Sequence, residues 1–165
     1  MGLTAVQVLK GVYNVKQVII ADRLPERLAM AKENGADIVL NNSDKPLSEL
    51  LGDIKPTLII DAACHPSILA EAAAIASPAA RIGLLGFSGM ASEITQQSLT
   101  SKELSLFTSR LNSHRFPVVI DWMERGLVDA EKLVTHYFSL GDIDVALHKF
   151  EHDQRNCCKV ILNIQ

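Results

Sequence analysis

Short β-branched runs alternate with amphipathic stretches along most of the chain, and that alternation predicts its elements. Over residues 2–14, Ala5, Leu9, Val12 and Tyr13 fall on one helical face, the spacing of a helix packed on a sheet. "QVIIAD" (17–22) is an unbroken apolar run ending on an acid, the pattern of a strand buried on both faces. The stretch "LPERLAMAKENG" (24–35) has Pro25 in its first turn and Gly35 where a helix C-cap belongs. "DIVLNN" (37–42) predicts a strand, a short helix follows near Pro46 to Leu51, and "PTLIIDA" (56–62) predicts another apolar strand. Pro66 opens the alanine-rich helix "SILAEAAAIA", whose small side chains suit close contact with a sheet. "ARIGLLGF" (80–87) and "KELSLFTS" (102–109) are the next strands.

Strands separated by helices at these lengths imply right-handed crossovers and a parallel sheet, so the expected fold is a doubly wound α/β domain. After Ser109 the pattern changes. Pro117 opens the helix "VVIDWMERG", stopped by Gly126; "KLVTHYFSL" (132–140) predicts a strand; Asp142 is placed to cap the helix "IDVALHKFEHD"; and "CKVILNI" (158–164) predicts a closing strand. This last portion reads as a β-α-β segment belonging to a second structural layer. No linker, repeat or low-complexity tract interrupts the chain.

Composition narrows the function classes. A chain of 165 residues with 48% hydrophobic and 21% charged residues is long enough for a sizeable core. Its formal charge of −3, without a clustered Lys/Arg stripe, offers no basic field for nucleic acid or anionic lipid. The most apolar region, Ile68 to Leu85, is broken by Glu71, Pro78 and Arg81, so no membrane span is expected. Cys64, Cys157 and Cys158 form neither a CxxC pair nor a disulfide framework, and the N-terminus has no secretory pattern. A cytoplasmic location is the expectation.

Asp22 is the sharpest chemical signal. An acid at the carboxyl end of such a strand accepts hydrogen bonds from both hydroxyls of an adenosine ribose and repels a 2′-phosphate, which favours NAD over NADP. Gly2 lies 20 residues before it, the separation expected between a glycine turn and that acid. Arg27 follows on the next helix, where it can lie along an adenosine edge, and Arg23 pulls the other way, because an arginine beside the ribose accommodates a 2′-phosphate. Asp22 equally suits a plainer role, ending the strand and capping the next helix through "DRLPE". "IIDAAC" and "GLLGF" end their strands in small residues, which lets backbone approach a flat ligand, although Gly83, Gly86 and Gly89 also fit ordinary turns.

The stretches "GVYNVKQVIIADRLPERLAMAKENGAD", "PTLIIDAACHPSILAEA", "ASPAARIGLLGFS" and "KELSLFTSRLN" together resemble the cofactor-binding half of the zinc-type, medium-chain alcohol dehydrogenases. Within that family it is similar to the branch that acts on sugar acids such as galactonate or gulonate and on polyols. The resemblance covers nearly the whole chain. It implies an NAD-binding, Rossmann-like sheet over 1–128 and a segment over 129–165 that returns to a catalytic domain. By the same resemblance Gly2 matches the last glycine of the G-x-G-x-x-G turn, Asp22 the ribose-binding acid and Arg27 its basic neighbour. Ala62, Ala63 and Cys64 match the lining of the adenine-side cleft, Leu85, Gly86 and Phe87 the backbone beside the nicotinamide, and Ser109 and Arg110 the segment after the last strand.

The departures carry consequences. The family's first strand, its first two glycines and its zinc-binding domain have no counterpart here, and nothing in the sequence replaces the zinc ligands. The chain therefore reads as the carboxyl-terminal half of a longer dehydrogenase, catalytically silent by itself, with cofactor binding weakened by the loss of most of the glycine turn. Without the usual central strand, "QVIIAD" is expected to pair directly with "PTLIIDA", to take a strand from another copy, or to receive "CKVILNI" by insertion. The apolar strand 102–109 is placed to be an edge, and a homodimer through it is expected.

Three further readings stay open at this stage. "HKFEH" (148–152) fits H-x-x-E-H, with His148 and His152 one helical turn apart and Glu151 as a base, but it equally fits a solvated polar helix face. An acid such as Asp22 also serves S-adenosylmethionine-dependent methyltransferases, whose folds normally finish with an antiparallel strand pair. A non-enzymatic dimeric interaction or nucleotide-sensing module is the third. His65, beside Pro66, reads as a helix-start residue rather than a general base, and His136 offers no cluster.

Overall fold

The computed structural model describes residues 1–63 and 65–164. Its elements are α1 (Gly2–Gln7), continued by a π-helical turn over Val8–Val12, then β1 (Ile19–Asp22), α2 (Pro25–Glu33), β2 (Ile38–Asn41), α3 (Leu47–Leu50), β3 (Leu58–Asp61), α4 (Pro66–Ile75), β4 (Arg81–Leu84), α5 (Gln96–Thr100), β5 (Ser105–Thr108), α6 (Phe116–Glu124), β6 (Val134–Ser139), α7 (Ile143–His152) and β7 (Lys159–Asn163). Among the described residues every ladder is parallel, in three sheets of order β1-β2, β3-β4-β5 and β6-β7. The expected α/β alternation and the closing β-α-β segment are both present. Among the described residues no helix is long and apolar enough to cross a membrane.

The chain forms two compact units, one made of Val6–Ser43 with Arg115–Gln165, the other of Met1–Ala5 with Asp44–His114. In the first, Pro25 starts α2 with its fixed φ after the extended Leu24, and Gly35 (φ 102°) ends it, as expected. Asp37 then anchors the approach to β2: its carboxylate accepts the Val18 backbone N–H at 2.7 Å and the Lys10 ammonium at 3.0 Å. A buried amide clamp ties the helical start to distant chain. Gln7 Nε2 donates to Asn34 Oδ1 and to the Asp129 carbonyl (2.8 Å), while Gln7 Oε1 accepts the Asp129 N–H at 2.9 Å. Asn34 Nδ2 donates to the Met30 carbonyl, so both buried amides are satisfied.

The helix expected over 2–14 is α-helical only to Gln7. Beyond it Tyr13 N–H reaches the Val8 carbonyl, the i to i+5 bond of a π turn. Packing accompanies the change: a Cβ built on Gly11 would lie 1.9 Å from the Leu127 carbonyl oxygen, so only glycine admits this approach. Tyr13 packs edge-on against Trp122 with ring centroids 6.4 Å apart. Asp142 departs from expectation too. It precedes α7 but makes no side-chain cap; its Oδ2 instead accepts the Ser139 hydroxyl at 2.6 Å.

The insertion expected of "CKVILNI" does not occur. Residues 159–163 pair with β6, from Val134↔Lys159 to Ser139↔Asn163, with one irregularity between Val134 and His136. Their parallel register also differs from the antiparallel finish of the methyltransferase reading. β1 pairs with β2, and direct pairing of "QVIIAD" with "PTLIIDA" is not found among the described residues. Cys157 is buried and Cys158 half-buried, both as free thiols.

In the second unit, β4 is the central strand of three and Ile82 is its most buried side chain, with no exposed surface. α4 supplies Ala72, Ala73 and Ile75 to the same core. The Lys102 ammonium donates to the carbonyls of Ala73, Ala74 and Ala76, closing the end of α4 with a cation. α5 was not foreseen: Thr95 caps it by accepting the Ser98 N–H, a short local signal in a polar stretch. β5 pairs only with β4 and all four of its residues are exposed, the edge position expected of 102–109.

Two outcomes follow from this packing. Ile82→Ala removes a fully buried side chain and should cost about 2–5 kcal/mol, read by urea unfolding. Backbone and lysine hydrogen bonds hold the Asp37 carboxyl below its ordinary value of 3.8, so its contribution is complete above that value and is lost as pH falls through the lower folded value. Asp37→Asn should therefore lower Tm at neutral pH, with the gap from the parent narrowing as pH falls below the ordinary carboxylate value.

Candidate functional site

Parallel register brings most of the expected site residues to one sheet edge. Asp61, Leu84 and Thr108 are the last residues of β3, β4 and β5 and are mutual register partners, Asp61↔Leu84 and Leu84↔Thr108. Ala62 and Ala63, Leu85 to Phe87, and Ser109 with Arg110 therefore leave the sheet side by side. Two backbone bonds extend the ladder past its end, Leu85 N–H to the Asp61 carbonyl (2.9 Å) and Ser109 N–H to the Leu84 carbonyl (3.1 Å). Ala62, Leu85 and Gly86 are half-buried, and Ala63, Phe87, Ser109 and Arg110 are exposed. Cys64 lies outside the described residues.

Two features of this edge escaped the sequence reading. Asp61 is 7% exposed, and its Oδ1 accepts the Ala63 N–H at 2.9 Å, folding the chain sharply away from the sheet. The Arg110 guanidinium stands 4.0 Å from the centroid of the exposed Phe87 ring, a cation–π contact that joins the ends of two strands. The signal for the first was the acid before two alanines; the second depends on strand register and has no local signature. Gly83 proves to sit within β4 rather than in a turn, where an added Cβ would meet only the Ile59 carbonyl oxygen at 3.9 Å.

In the other unit, Asp22 ends β1 opposite Asn41. Its Oδ1 accepts the Leu24 N–H at 2.9 Å, a turn that leads into α2, so the plainer structural role is real. Its second oxygen takes no hydrogen bond among the described residues, and the side chain is half-buried. Ser43 bonds the Arg23 carbonyl (3.0 Å) and Asn41 Oδ1 (2.6 Å), bracing the same strand ends. Next to them Asn42 Oδ1 is buried without a hydrogen-bond partner. A buried acceptor of this kind costs roughly 1–3 kcal/mol unless a donor reaches it.

Arg23 is exposed, and Arg27 is committed elsewhere. Arg27 Nε donates to the Gln154 carbonyl (2.8 Å) and Nη2 to the Cys157 carbonyl, so it clasps the turn before β7. Gly2 is the first residue of α1. His65 caps α4 by accepting the Ser67 N–H on Nδ1, as its place before Pro66 suggested. His148 and His152 stack on α7 with centroids 4.2 Å apart. Among the described residues no three His, Cys, Asp or Glu side chains converge as a metal site.

Comparison with known proteins fits this geometry. The family model described as zinc-binding dehydrogenase matches residues 1–125. The chain is 62% identical to the starvation-sensing protein RspB of Escherichia coli K12 over 98% of its own length and 48% of that relative. It is 23% identical to the L-idonate 5-dehydrogenase (NAD(P)(+)) of the same strain, over 88% of this chain and 43% of the relative. Among solved structures it is similar to the short chain alcohol dehydrogenase rspB of E. coli CFT073, complexed with cofactor NADH, with a TM-score of 0.96 and 62% identity over 99% of this chain and 49% of that one. The chain thus spans about half the length of the curated relatives it matches.

Proposed function

The chain belongs to the zinc-binding dehydrogenase family, and from that premise we propose that it is the NAD(H)-binding carboxyl-terminal portion of a dehydrogenase that oxidises a secondary alcohol of a polyol or sugar acid. The carrying observation is Asp22: one carboxylate oxygen is used by its own turn, and the other is an open acceptor at the carboxyl end of a parallel strand. A ribose supplies two hydroxyl donors suited to such an acid. Asn42 Oδ1, an unsatisfied acceptor in the neighbouring turn, adds a second place for a ligand donor. Arg23, exposed beside Asp22, belongs to the same reading, whereas Arg27 is committed to the carbonyls of Gln154 and Cys157.

At the three-stranded edge, small side chains at Ala62, Ala63 and Gly86 leave backbone accessible to a flat ring, and Cys64 is assigned to the same lining by the resemblance. Leu85, Gly86 and Phe87 would line the nicotinamide, with Ser109 and Arg110 beyond. When bound, NAD supplies the hydride chemistry; the part assigned to these residues is to hold and orient it. The zinc of the family finds no ligand set among the described residues, so no catalytic step is drawn through it here, and the chain alone is expected to show no turnover. Division into a cofactor domain over 1–128 and a returning segment over 129–165, and a cytoplasmic location, belong to the same proposal.

The relative complexed with NADH favours that cofactor as the probe. Calorimetric titration should show weak, saturable NADH binding that Asp22→Ala weakens roughly 10- to 100-fold, the worth of a charge-assisted hydrogen bond, with NADPH losing less. Saturable binding that is unchanged in the variant would remove Asp22 from the site. No binding of either cofactor would overturn the reading.

Pairing of two copies through 102–109 is the partner proposal. β5 is an exposed parallel edge with Leu106 and Phe107 37% and 56% exposed, a surface that invites a further strand. Size-exclusion chromatography with light scattering should give a dimer that Leu106→Lys converts to monomer. A parent chain that elutes as a monomer at tens of micromolar would sink it.

A further inference from the structure

α7 carries a feature that the dinucleotide reading leaves unused. His148 and His152 occupy its last two turns, one helical turn apart, and both are exposed. Their rings stack nearly parallel, with centroids 4.2 Å apart and planes 15° from one another. His152 Nδ1 lies 2.9 Å from the His148 carbonyl oxygen. A carbonyl only accepts, so Nδ1 carries the proton and the lone pair of the neutral ring sits on Nε2. Metal-binding imidazoles are held in this way, by donating their other N–H to a carbonyl or carboxylate that fixes tautomer and ring orientation.

From this geometry we propose that His148 and His152 form a two-imidazole binding site for a divalent transition metal ion, with water completing the coordination. Two metal–nitrogen bonds of about 2.0–2.1 Å at a tetrahedral angle place the nitrogens roughly 3.3 Å apart. Rings stacked at 4.2 Å reach that separation by rotation of the free His148 side chain, while His152 keeps its carbonyl bond. The neighbours do not compete. Lys149 and Asp153 are paired with each other at 2.6 Å, and Asp153 also accepts the Asn156 N–H. A cation here also sits at the carboxyl end of a ten-residue helix, where the macrodipole favours positive charge.

Imidazole donors without thiolate or carboxylate select borderline ions such as Ni²⁺, Cu²⁺ and Zn²⁺ over Mg²⁺ or Ca²⁺. Ni²⁺ is the cleaner probe, because the free thiols of Cys157 and Cys158 attract the other two. The full chain is titrated with NiCl₂ by calorimetry at about pH 7.5, with a reductant that does not bind metal. One saturable site is expected, weakened at least about tenfold in both His148→Asn and His152→Asn, since either change leaves one tooth of the chelate. His65→Asn and His136→Asn should leave it unchanged. In proton NMR, sub-stoichiometric Ni²⁺ should broaden the ring signals of His148 and His152 first. MgCl₂ should give no heat of binding. Absence of a saturable site, or Ni²⁺ binding that survives either α7 substitution or follows Cys158→Ser instead, would overturn the proposal. The site makes no use of the cofactor, so the outcome is independent of NADH binding.

Discussion

Parallel pairing is the constraint from which the rest of this structure follows. A parallel neighbour cannot be reached by a tight turn, so each strand must be followed by a crossover, and each crossover leaves from the same edge of its sheet. In the three-stranded sheet this sets Asp61, Leu84 and Thr108 level and makes Ala62, Leu85 and Ser109 neighbours although they are far apart in the chain. In the two-stranded sheet it sets Asp22 beside Asn41. A ligand that needs backbone from several strands at once finds it only at such an edge. Such a ligand would meet the last residue of each strand and the first residues after it, not the strand interiors.

Holding those edges in place falls to a few polar contacts between distant segments. The Gln7 amide reaches Asn34 and Asp129 and satisfies its own oxygen and nitrogen in doing so. Arg27 does the same for the turn before β7 by spending its guanidinium on two carbonyls. Such contacts stabilise chiefly by sparing buried groups from being unsatisfied, and for that reason they tolerate substitution poorly. The bare backbone of Gly11 against the Leu127 carbonyl belongs with them: a side chain there would drive the two segments apart.

These long-range contacts also mark where sequence reasoning stops. The strands were legible because parallel strands are written as unbroken β-branched runs, although of β1 to β5 only β3 and β4 hold a buried residue, and Pro25, Gly35, Pro66 and Pro117 mark helix boundaries by local stereochemistry alone. What the sequence hid had partners far away. The π turn after α1 meets Leu127, Arg27 meets Gln154 and Cys157, and the Arg110–Phe87 contact exists only through strand register. Asp142 failed for a nearer reason, since Ser139 competes for the carboxylate that was expected to cap α7. Residues 158–164 were apolar enough to fill a gap beside β1, but the crossover through α7 gave them a closer partner in β6.

Asp22 and Asp61 show why composition at a strand end does not by itself make a site. Both end an apolar parallel strand, and each turns the chain by accepting the N–H two residues on, from Leu24 and from Ala63. Their surroundings separate them. Asp61 is 7% exposed, closed in by the end of the central strand and its own turn. Asp22 is half-buried, with one oxygen outside the turn and an unsatisfied amide oxygen at Asn42 close by in sequence. A buried acid at such a turn can position backbone for a ligand without touching it. An acid with an open lone pair at the same kind of edge is able to bind one, and that difference in accessibility is why the proposed ribose contact is assigned to Asp22 and only a turn-forming role to Asp61.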